Sequence, residues 1–317
     1  MLIYFLFFVG FLFLVKGADI LVEGASDIAK RLHVSDLVVG LTIVAFGTSA
    51  PELAVNVIAS IEGNAGVAFG NIVGSNIANT LLILGVASVI YPIRVQKSTV
   101  YREIPFSMLA VLVLYFIAND ISIDNLSQNQ ISRVDGFILI CFFSIFLYYV
   151  FTLAKSQKPD ESEKKQSNIL KSIGLVIFGC LGLFYGGNWI VNGAVQIAKI
   201  SGLSEDIIGL TIVAIGTSLP ELAASAAASL KKKSDIAIGN VIGSNVFNIF
   251  WVFGISAIIR PLPVAENNNP DILMALFSSF ILFILLYFMK EHILRKWHGI
   301  LFLFIYVVYA LYLLGMR

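Results

Sequence analysis

Two acidic residues lie at matched positions in strongly apolar parts of the chain, and each directly follows a proline. Glu52 follows Pro51 in the stretch AFGTSAPEL, and Glu221 follows Pro220 in the stretch AIGTSLPEL. A charged side chain at the centre of a bilayer costs at least ~2.5 kcal/mol on insertion scales, so each carboxylate needs a function or a partner. Two carboxylates that face each other repel, and an empty pair should therefore take up protons or capture cations.

The proline and glycine of the first stretch predict a break in its helix. Pro51 has no backbone N–H, so the carbonyl oxygen of Gly47 loses its helical partner, and Gly47 adds backbone freedom. We expect the helix to break within 45–51 and to expose carbonyl oxygens such as that of Ala45. Residues three or four apart share one helix face. On this face the sequence places backbone, hydroxyl and carboxylate oxygens at Ala45, Thr48, Ser49 and Glu52.

A second polar stretch, GNIVGSNIAN at 70–79, adds hydroxyl and amide oxygens. Ser75 and Asn79 share a helix face, and Gly70 and Gly74 would let another helix approach closely. A later part of the chain repeats the whole set with Ala214, Thr217, Ser218, Glu221, Ser244 and Asn248. Oxygen ligands favour hard cations: calcium takes about six to eight of them in flexible geometry, and sodium accepts similar oxygens. Copper, iron or zinc would favour His or Cys, which this set lacks.

The composition predicts an all-α polytopic membrane protein. The chain of 317 residues is 58% hydrophobic and 13% charged, with a mean hydropathy of +0.90, and soluble domains have about twice that share of charge. The net charge of +1 and the lack of a large Lys/Arg cluster give no sign of nucleic-acid binding. Apolar runs near the ~20 residues that cross a bilayer recur along the chain. We expect ten transmembrane helices at roughly 2–29, 37–60, 65–90, 103–118, 134–154, 170–199, 206–230, 235–259, 271–289 and 298–316.

The chain contains an internal repeat. Residues 40–85 align without a gap to residues 209–254, and 23 of the 46 positions are identical at a constant offset of 169. The one long polar linker, 155–169, separates two groups of five expected spans. The expected organisation is therefore a first half at 1–154, this linker, and a second half at 170–317. An odd number of spans inverts the second copy relative to the first. Such inverted repeats are typical of alternating-access transporters with a site near the midplane.

The basic residues predict the orientation of the spans. Sixteen of the 21 Lys and Arg residues fall on one side, four fall on the other, and Lys16 lies within the first span. Positive loops stay cytoplasmic. We therefore expect both termini outside and the 155–169 linker in the cytoplasm. The short linker without an appended domain suits a prokaryotic inner membrane, and no obligate protein partner is evident.

At these stretches the chain resembles the cation/calcium exchanger superfamily, in particular the sodium/calcium exchangers. GTSAPE and GTSLPE, together with GNIVGSNIAN and GNVIGSNVFN, are similar to the two alpha-repeats of that family. The resemblance implies an antiporter without a cofactor that exchanges calcium for sodium. It also implies that spans 2, 3, 7 and 8 form the ion sites, while spans 1 and 6 slide to alternate access.

The resemblance further implies roles for individual residues. Glu52 and Glu221 would be central calcium ligands shared with sodium, and Thr48 and Thr217 would add oxygens to calcium. The flanking sodium sites would be lined by Ser49, Ser75, Ala45, Ser218, Ser244 and Ala214. Asn79 and Asn248 would face the middle of the site. Some family members have Asp where this chain has Asn248, so the site here has two carboxylates and the coupling ratio stays open.

Other functions remain as alternatives. Proton-coupled calcium exchangers are the main one because a pair of buried acids can titrate, although their motif usually has an Asn-Ala-Thr-Glu run. Potassium-dependent exchange and a passive cation channel are further alternatives. A serine hydrolase using Ser49 or Ser218 would need a His or Lys base in reach, and none is evident, so we expect no enzyme. The charged residues of the first span recur every three or four positions, which favours snorkelling or local ion pairing of Lys16, Asp19, Glu23 and Asp27.

Overall fold

The protein is built almost entirely of helices, as a computed structural model describes it over residues 2–124, 128–156, 169–200, 214–265 and 268–316. The helices are α1 Leu2–Leu32, α2 Asp36–Thr48, α3 Ala50–Glu62, α4 Ala65–Ile90, α5 Lys97–Ile117, α6 Asp120–Asp124, α7 Arg133–Ser156, α8 Ile169–Ile200, α9 Ala214–Thr217, α10 Leu219–Leu230, α11 Ser234–Ile259, α12 Asn269–Phe288 and α13 Lys296–Met316. Four short strands lie in the connections: β1 Ile93–Arg94, β2 Gln130–Ile131, β3 Leu262–Pro263 and β4 Ile293–Leu294.

Most of the expected membrane spans are present. Eight helices of the described residues are long and apolar enough to cross a membrane, and the bent pair of α2 and α3 makes a ninth. The seventh expected span, 206–230, begins among residues 201–213, which lie outside the described ranges. The count of ten is therefore not established. The fourth expected span, 103–118, corresponds to the second part of α5, because Arg102 separates a short helix at Lys97–Tyr101 from the helix at Glu103–Ile117.

The helix break expected within 45–51 falls at Ser49, between α2 and α3, where the axis bends by 47°. Ser49 has φ −85° and ψ 9°, and its counterpart Ser218, between α9 and α10, has φ −86° and ψ 4°. In both copies a proline lies in the first turn of the next helix. That helix does not need the missing N–H, but the preceding helix loses a hydrogen bond. The same local sequence thus produces the same break twice.

Two long helices form the centre of the protein. In α4 and in α11, 78% of the apolar 18-residue stretch that could cross a membrane is buried inside the protein. The corresponding stretches of the other single spans are only 17–39% buried. Each of the two contains a π-helical turn, at Ala78–Ile83 in α4 and Phe247–Phe253 in α11. Such turns often mark functional sites, and here they contain Asn79 and Asn248.

Glycines let α11 lie very close to α2. A Cβ atom added at Gly239 would be 3.0 Å from the Cα of Gly40, and one at Gly243 would be 2.6 Å from the carbonyl oxygen of Leu41. The corresponding glycines of α4 differ: among the described residues, no atom lies within 4 Å of a Cβ placed at Gly70 or Gly74. Gly209 and Leu210, the counterparts of Gly40 and Leu41, lie outside the described residues, so the close approach expected at Gly70 and Gly74 stays a prediction there.

α1 and α8 pack against each other through glycines spaced seven residues apart. A Cβ atom at Gly17 would lie 2.8 Å from the backbone nitrogen of Leu183, and one at Gly186 would lie 2.7 Å from that of Leu14. Small residues permit such backbone contact between membrane helices. The glycines of the two helices correspond at the offset of 169: Gly10, Gly17 and Gly24 with Gly179, Gly186 and Gly193.

Two small antiparallel sheets connect the halves of the chain. β1 pairs with β4, with Ile93 opposite Leu294, and β2 pairs with β3, with Ile131 opposite Leu262. β1 and β3 are again 169 residues apart. Each sheet therefore takes one strand from each half, which joins the loops of one half to the loops of the other.

Candidate functional site

The two acids of the sequence motifs lie in the first turns of α3 and α10. Glu52 and Glu221 are both 0% exposed, and they lie within Coulombic range of each other. The positive end of a helix dipole stabilises an acidic side chain in the first turn. Two neighbouring buried carboxylates nevertheless repel each other when no counter-charge is present. The fold therefore places two acids, one from each repeat, where a cation would stabilise both.

A serine of the first repeat contacts the acid of the second. The hydroxyl of Ser49, at the helix break, donates to Oε1 of Glu221 at 2.8 Å. The Ser49 oxygen also lies 2.9 Å from the hydroxyl oxygen of Ser244 in α11. Both serines are buried, so water does not compete for these hydrogen bonds. Ser49 and Ser244 thus place hydroxyl oxygens next to the Glu221 carboxylate.

The reverse arrangement surrounds the acid of the first repeat. The hydroxyl oxygens of Ser218, at the second helix break, and Ser75, in α4, are 3.2 Å apart and both buried. Both side chains lie beside the carboxylate of Glu52. Each acid is therefore next to the break serine of the opposite repeat, and the site is shared between the halves rather than duplicated.

The two threonines of the motifs contact asparagines that the sequence did not single out. Thr48 Oγ1 donates to Asn240 Oδ1 at 3.1 Å and also lies beside Glu221. Thr217 Oγ1 donates to Asn71 Oδ1 at 3.2 Å. Each bond again crosses from one repeat to the other. The repeat itself was the available signal, because Asn71 and Asn240 are identical at the offset of 169.

Asn71 and Asn240 also hold the backbone at the acids. Nδ2 of Asn71 is 3.4 Å from the carbonyl oxygen of Glu52 and 2.6 Å from Oδ1 of Asn56. The second repeat has the matching bonds from Asn240, at 3.3 Å to the Glu221 carbonyl oxygen and 2.9 Å to Ser225 Oγ. These amides therefore fix the helix turn from which each carboxylate projects.

Asn79 and Asn248 lie in the π-helical turns and are 1% and 0% exposed. Asn79 Nδ2 donates to Asn245 Oδ1 at 3.0 Å, and Asn248 Nδ2 donates to Asn76 Oδ1 at 3.1 Å. Both amino groups are therefore occupied by the opposite repeat. The amide oxygens of Asn79 and Asn248 remain as the groups available to a ligand.

Five buried oxygens of the predicted site have no hydrogen-bond partner among the described residues: Glu52 Oε1 and Oε2, Glu221 Oε2, Asn79 Oδ1 and Asn248 Oδ1. A buried acceptor without a partner costs about 1–3 kcal/mol, and more when it is charged. All five atoms are acceptors, and both repeats contribute to them. Carboxylate and amide oxygens are the ligands of hard cations such as calcium. Among the described residues, no group of three or more His, Cys, Asp or Glu side chains is arranged to hold a metal ion.

The two alanines of the motifs need separate descriptions. Ala45 differs from expectation, and Ala214 lies at the edge of the described residues. The carbonyl oxygen of Ala45 accepts the Ser49 amide at 2.9 Å, and the Thr48 hydroxyl oxygen lies 3.3 Å from it. The expectation of an exposed carbonyl at Ala45 was wrong, because the break lies at Ser49 and the last turn of α2 stays closed. Ala214 is the first residue of α9, next to the undescribed residues 201–213.

The acidic residues of α1 do not all pair locally. Asp19 Oδ1 lies 3.5 Å from Nζ of Lys231, which also donates to the Asp19 carbonyl oxygen at 2.7 Å. Lys231 follows α10 in the second half, so local pairing was the wrong expectation for Asp19. The side chains are 36% and 42% exposed, and such exposed pairs contribute only about 0–1 kcal/mol. This ion pair joins α1 to the second repeat without holding the fold together.

Known proteins resemble the chain over most of its length. The family model "Sodium/calcium exchanger protein" matches residues 2–152 and 171–315. The putative antiporter CaxA of Alkalimonas amylolytica is 39% identical over 266 residues, which cover 80% of this chain and 79% of that one. The sodium/calcium exchanger MaX1 of Methanosarcina acetivorans is 32% identical over an alignment of 341 residues. The match covers 96% of this chain and 96% of that one.

A solved structure has the same fold. The sodium-calcium exchanger NCX_Mj, in crystals soaked with Na+ and Sr2+, has a TM-score of 0.84 to this protein at 33% sequence identity, and the match covers 97% of each chain. The family match spans both halves around the 155–169 linker. Sequence and fold agree on one assignment: the chain belongs to the sodium/calcium exchanger family, a family of membrane antiporters within the cation/calcium exchanger superfamily.

Proposed function

We propose that the protein exchanges Ca2+ for Na+ across the membrane by alternating access, with Glu52 and Glu221 as central ligands of both ions. The observation that carries the proposal is the set of five buried oxygens, contributed by both repeats, that have no hydrogen-bond partner among the described residues. A divalent cation there would neutralise both carboxylates and satisfy the two amide oxygens. A buried set made only of acceptors favours a cation over an anionic ligand.

The surrounding hydroxyls extend this set toward a second ion species. Calcium neutralises two carboxylates with a single ion, whereas monovalent sodium must occupy more than one position to do so. The hydroxyl oxygens beside the two acids supply such positions at short range. We assign the flanking sodium sites to Ser49, Ser75, Ser218 and Ser244, with the carbonyl oxygen of Ala214.

Thr48 and Thr217 are proposed as further calcium ligands. The Thr48 hydroxyl donates to Asn240 Oδ1 at 3.1 Å and lies beside the Glu221 carboxylate, so its oxygen is close to a cation that this acid would hold. The bond from Thr217 to Asn71 repeats this arrangement. Each hydroxyl oxygen would therefore serve as a ligand when the acids hold a cation.

The proposed architecture is two inverted five-helix halves, 1–154 and 170–317, joined by a cytoplasmic linker at 155–169. The helix breaks, the glycines of α1 and α8, and strands β1 and β3 all recur at one offset, which supports this organisation. α1 and α8 are joined by close backbone contacts and would slide as one unit past the site. The distribution of basic residues supports both termini outside, in a prokaryotic inner membrane.

Calcium uptake into proteoliposomes tests the proposal. Outward gradients of sodium, protons and potassium are imposed in separate arms, and we expect uptake driven by the sodium gradient. Glu52→Gln and Glu221→Gln should each abolish uptake. Glu62→Gln is the matched control, because Glu62 is the exposed last residue of α3, and it should transport normally.

Each other outcome has a defined meaning. Uptake driven only by the proton gradient would replace sodium with protons as the coupling ion, and a requirement for potassium would make exchange potassium-dependent. Calcium flux without any counter-ion gradient would indicate a channel. Normal uptake by Glu52→Gln or by Glu221→Gln would eliminate the proposed central site.

A further inference from the structure

We infer that Asn76 and Asn245 are positioning residues that turn the amide oxygens of Asn79 and Asn248 toward the cation, and that Thr80 anchors this arrangement. This inference rests on the proposed function, because it concerns how two ligands of the same site are oriented. An Asn side chain can present either an oxygen or an NH2 group to a pocket. A cation binds the oxygen and is repelled by the NH2 group, so the choice decides whether the residue is a ligand.

One chain of hydrogen bonds fixes Asn79. The Thr80 hydroxyl donates to the backbone carbonyl oxygen of Asn76 at 3.1 Å. A hydroxyl that has donated its hydrogen must accept in its next bond, and Thr80 Oγ1 accepts from Asn245 Nδ2 at 3.0 Å. Asn245 therefore presents Oδ1 to Asn79, whose Nδ2 donates to it at 3.0 Å. The Asn79 oxygen is left facing away from this contact, without a partner among the described residues.

A second chain fixes Asn248 in the same way. Asn76 Nδ2 donates to the backbone carbonyl oxygen of Asn245 at 3.2 Å. Asn76 therefore presents Oδ1 to Asn248, whose Nδ2 donates to it at 3.1 Å. The Asn248 oxygen is again left without a partner among the described residues. Both chains thus have the same outcome, an amide oxygen available at the site.

The direction of each chain follows from its anchor. Both chains begin at a backbone carbonyl oxygen, which can only accept a hydrogen bond. The asparagines and Thr80 are at most 2% exposed, so water does not replace the anchors. The asparagines recur at the offset of 169, but the anchor does not, since the counterpart of Thr80 is Ile249. The Asn79 orientation therefore depends on one hydroxyl group that can be removed without changing side-chain shape.

Thr80→Val removes that hydroxyl, and Thr80→Ser retains it. Calcium affinity is measured by titration calorimetry on purified protein, and apparent KM and kcat are measured in proteoliposomes. We expect Thr80→Val to weaken calcium binding and raise KM about tenfold, the lower end of losses for residues that orient metal ligands, with little change in kcat. Thr80→Ser should stay within about twofold of wild type. Ser88→Ala is the control, since it removes another buried hydroxyl of α4, whose hydrogen bond goes to the Gly85 carbonyl of the same helix.

Several results would overturn the inference. Wild-type calcium affinity in Thr80→Val would show that the anchor does not control a ligand. Equal losses in Thr80→Val and Thr80→Ser would show that the position matters for packing alone. If Thr80→Val does not fold, Asn245→Ala decides in its place: it removes the acceptor for Asn79, and wild-type affinity would again overturn the inference. A wild-type protein without exchange activity would instead refute the proposed function, a distinguishable result.

Discussion

The close contact between α2 and α11 gives a quantitative prediction for Gly243→Ala. The substitution adds one methyl group to α11 directly against the helix that leads into the first break. The methyl would sit 2.6 Å from the carbonyl oxygen of Leu41 and 2.8 Å from Cβ of Ala45, whereas ordinary contacts begin at 3.4 Å. Because a backbone oxygen cannot rotate away, the two helices must separate by ~0.8 Å.

This separation has two calculable effects. Overpacking of this kind costs about 1–3 kcal/mol in the free energy of unfolding. The same displacement would also lengthen the contact between Ser49 and Ser244 from 2.9 Å to ~3.7 Å, beyond hydrogen-bonding range. The Ser49 hydroxyl would then lose one of its two partners beside Glu221. We therefore expect a lower melting temperature and an apparent KM for calcium about tenfold higher, as for other losses next to metal ligands.

Thermal unfolding in detergent and calcium uptake in proteoliposomes measure these effects separately. Gly174→Ala is the control, because no atom lies within 4 Å of a Cβ at Gly174 among the described residues. This control should keep wild-type KM and melting temperature. A Gly243→Ala protein with wild-type values of both would refute the claim that close contact between α2 and α11 sets the geometry of the site.

Three further substitutions test other contacts. Thr217→Val should raise the KM for calcium about tenfold, since it leaves the buried Asn71 oxygen without its donor. Thr217→Ser should retain the wild-type KM. Equal uptake kinetics in both variants would refute a functional role for the hydrogen bond between Thr217 and Asn71. Gly17→Leu should lower the melting temperature by several degrees, because the Cβ atom of the new leucine would lie under 3 Å from backbone atoms of α8. An unchanged melting temperature would refute the close packing of α1 on α8. Lys231→Ala should change the free energy of unfolding by less than ~1 kcal/mol, and a larger loss in denaturant titration would show that its ion pair supports the fold.

The parts of the structure that could be predicted from the sequence depend on local covalent chemistry and on the repeat. Pro51 removes a donor whatever the rest of the fold does, so the break near Ser49 followed from the sequence. The offset of 169 then placed a second break at Ser218. Hydropathy predicted most spans because a membrane helix needs a long apolar run.

The parts that could not be predicted depend on contacts between distant residues. Asn71 and Asn240 stand in helices where nothing local distinguishes a bridging asparagine from an inert one, and their partners are 146 and 192 positions away. The pair of Asp19 with Lys231 has the same origin. The Ala45 carbonyl was misjudged for a local reason, because proline and glycine predict the region of the break but not the residue at which it occurs.

The central claim is that the acids of the two repeats bind one cation between them. An anomalous difference map from crystals soaked in Sr2+, a heavier hard divalent cation, locates such an ion directly. The account predicts a peak coordinated by at least one carboxylate oxygen from each of Glu52 and Glu221. A peak bound by one of these acids alone, or a site away from both, would contradict it.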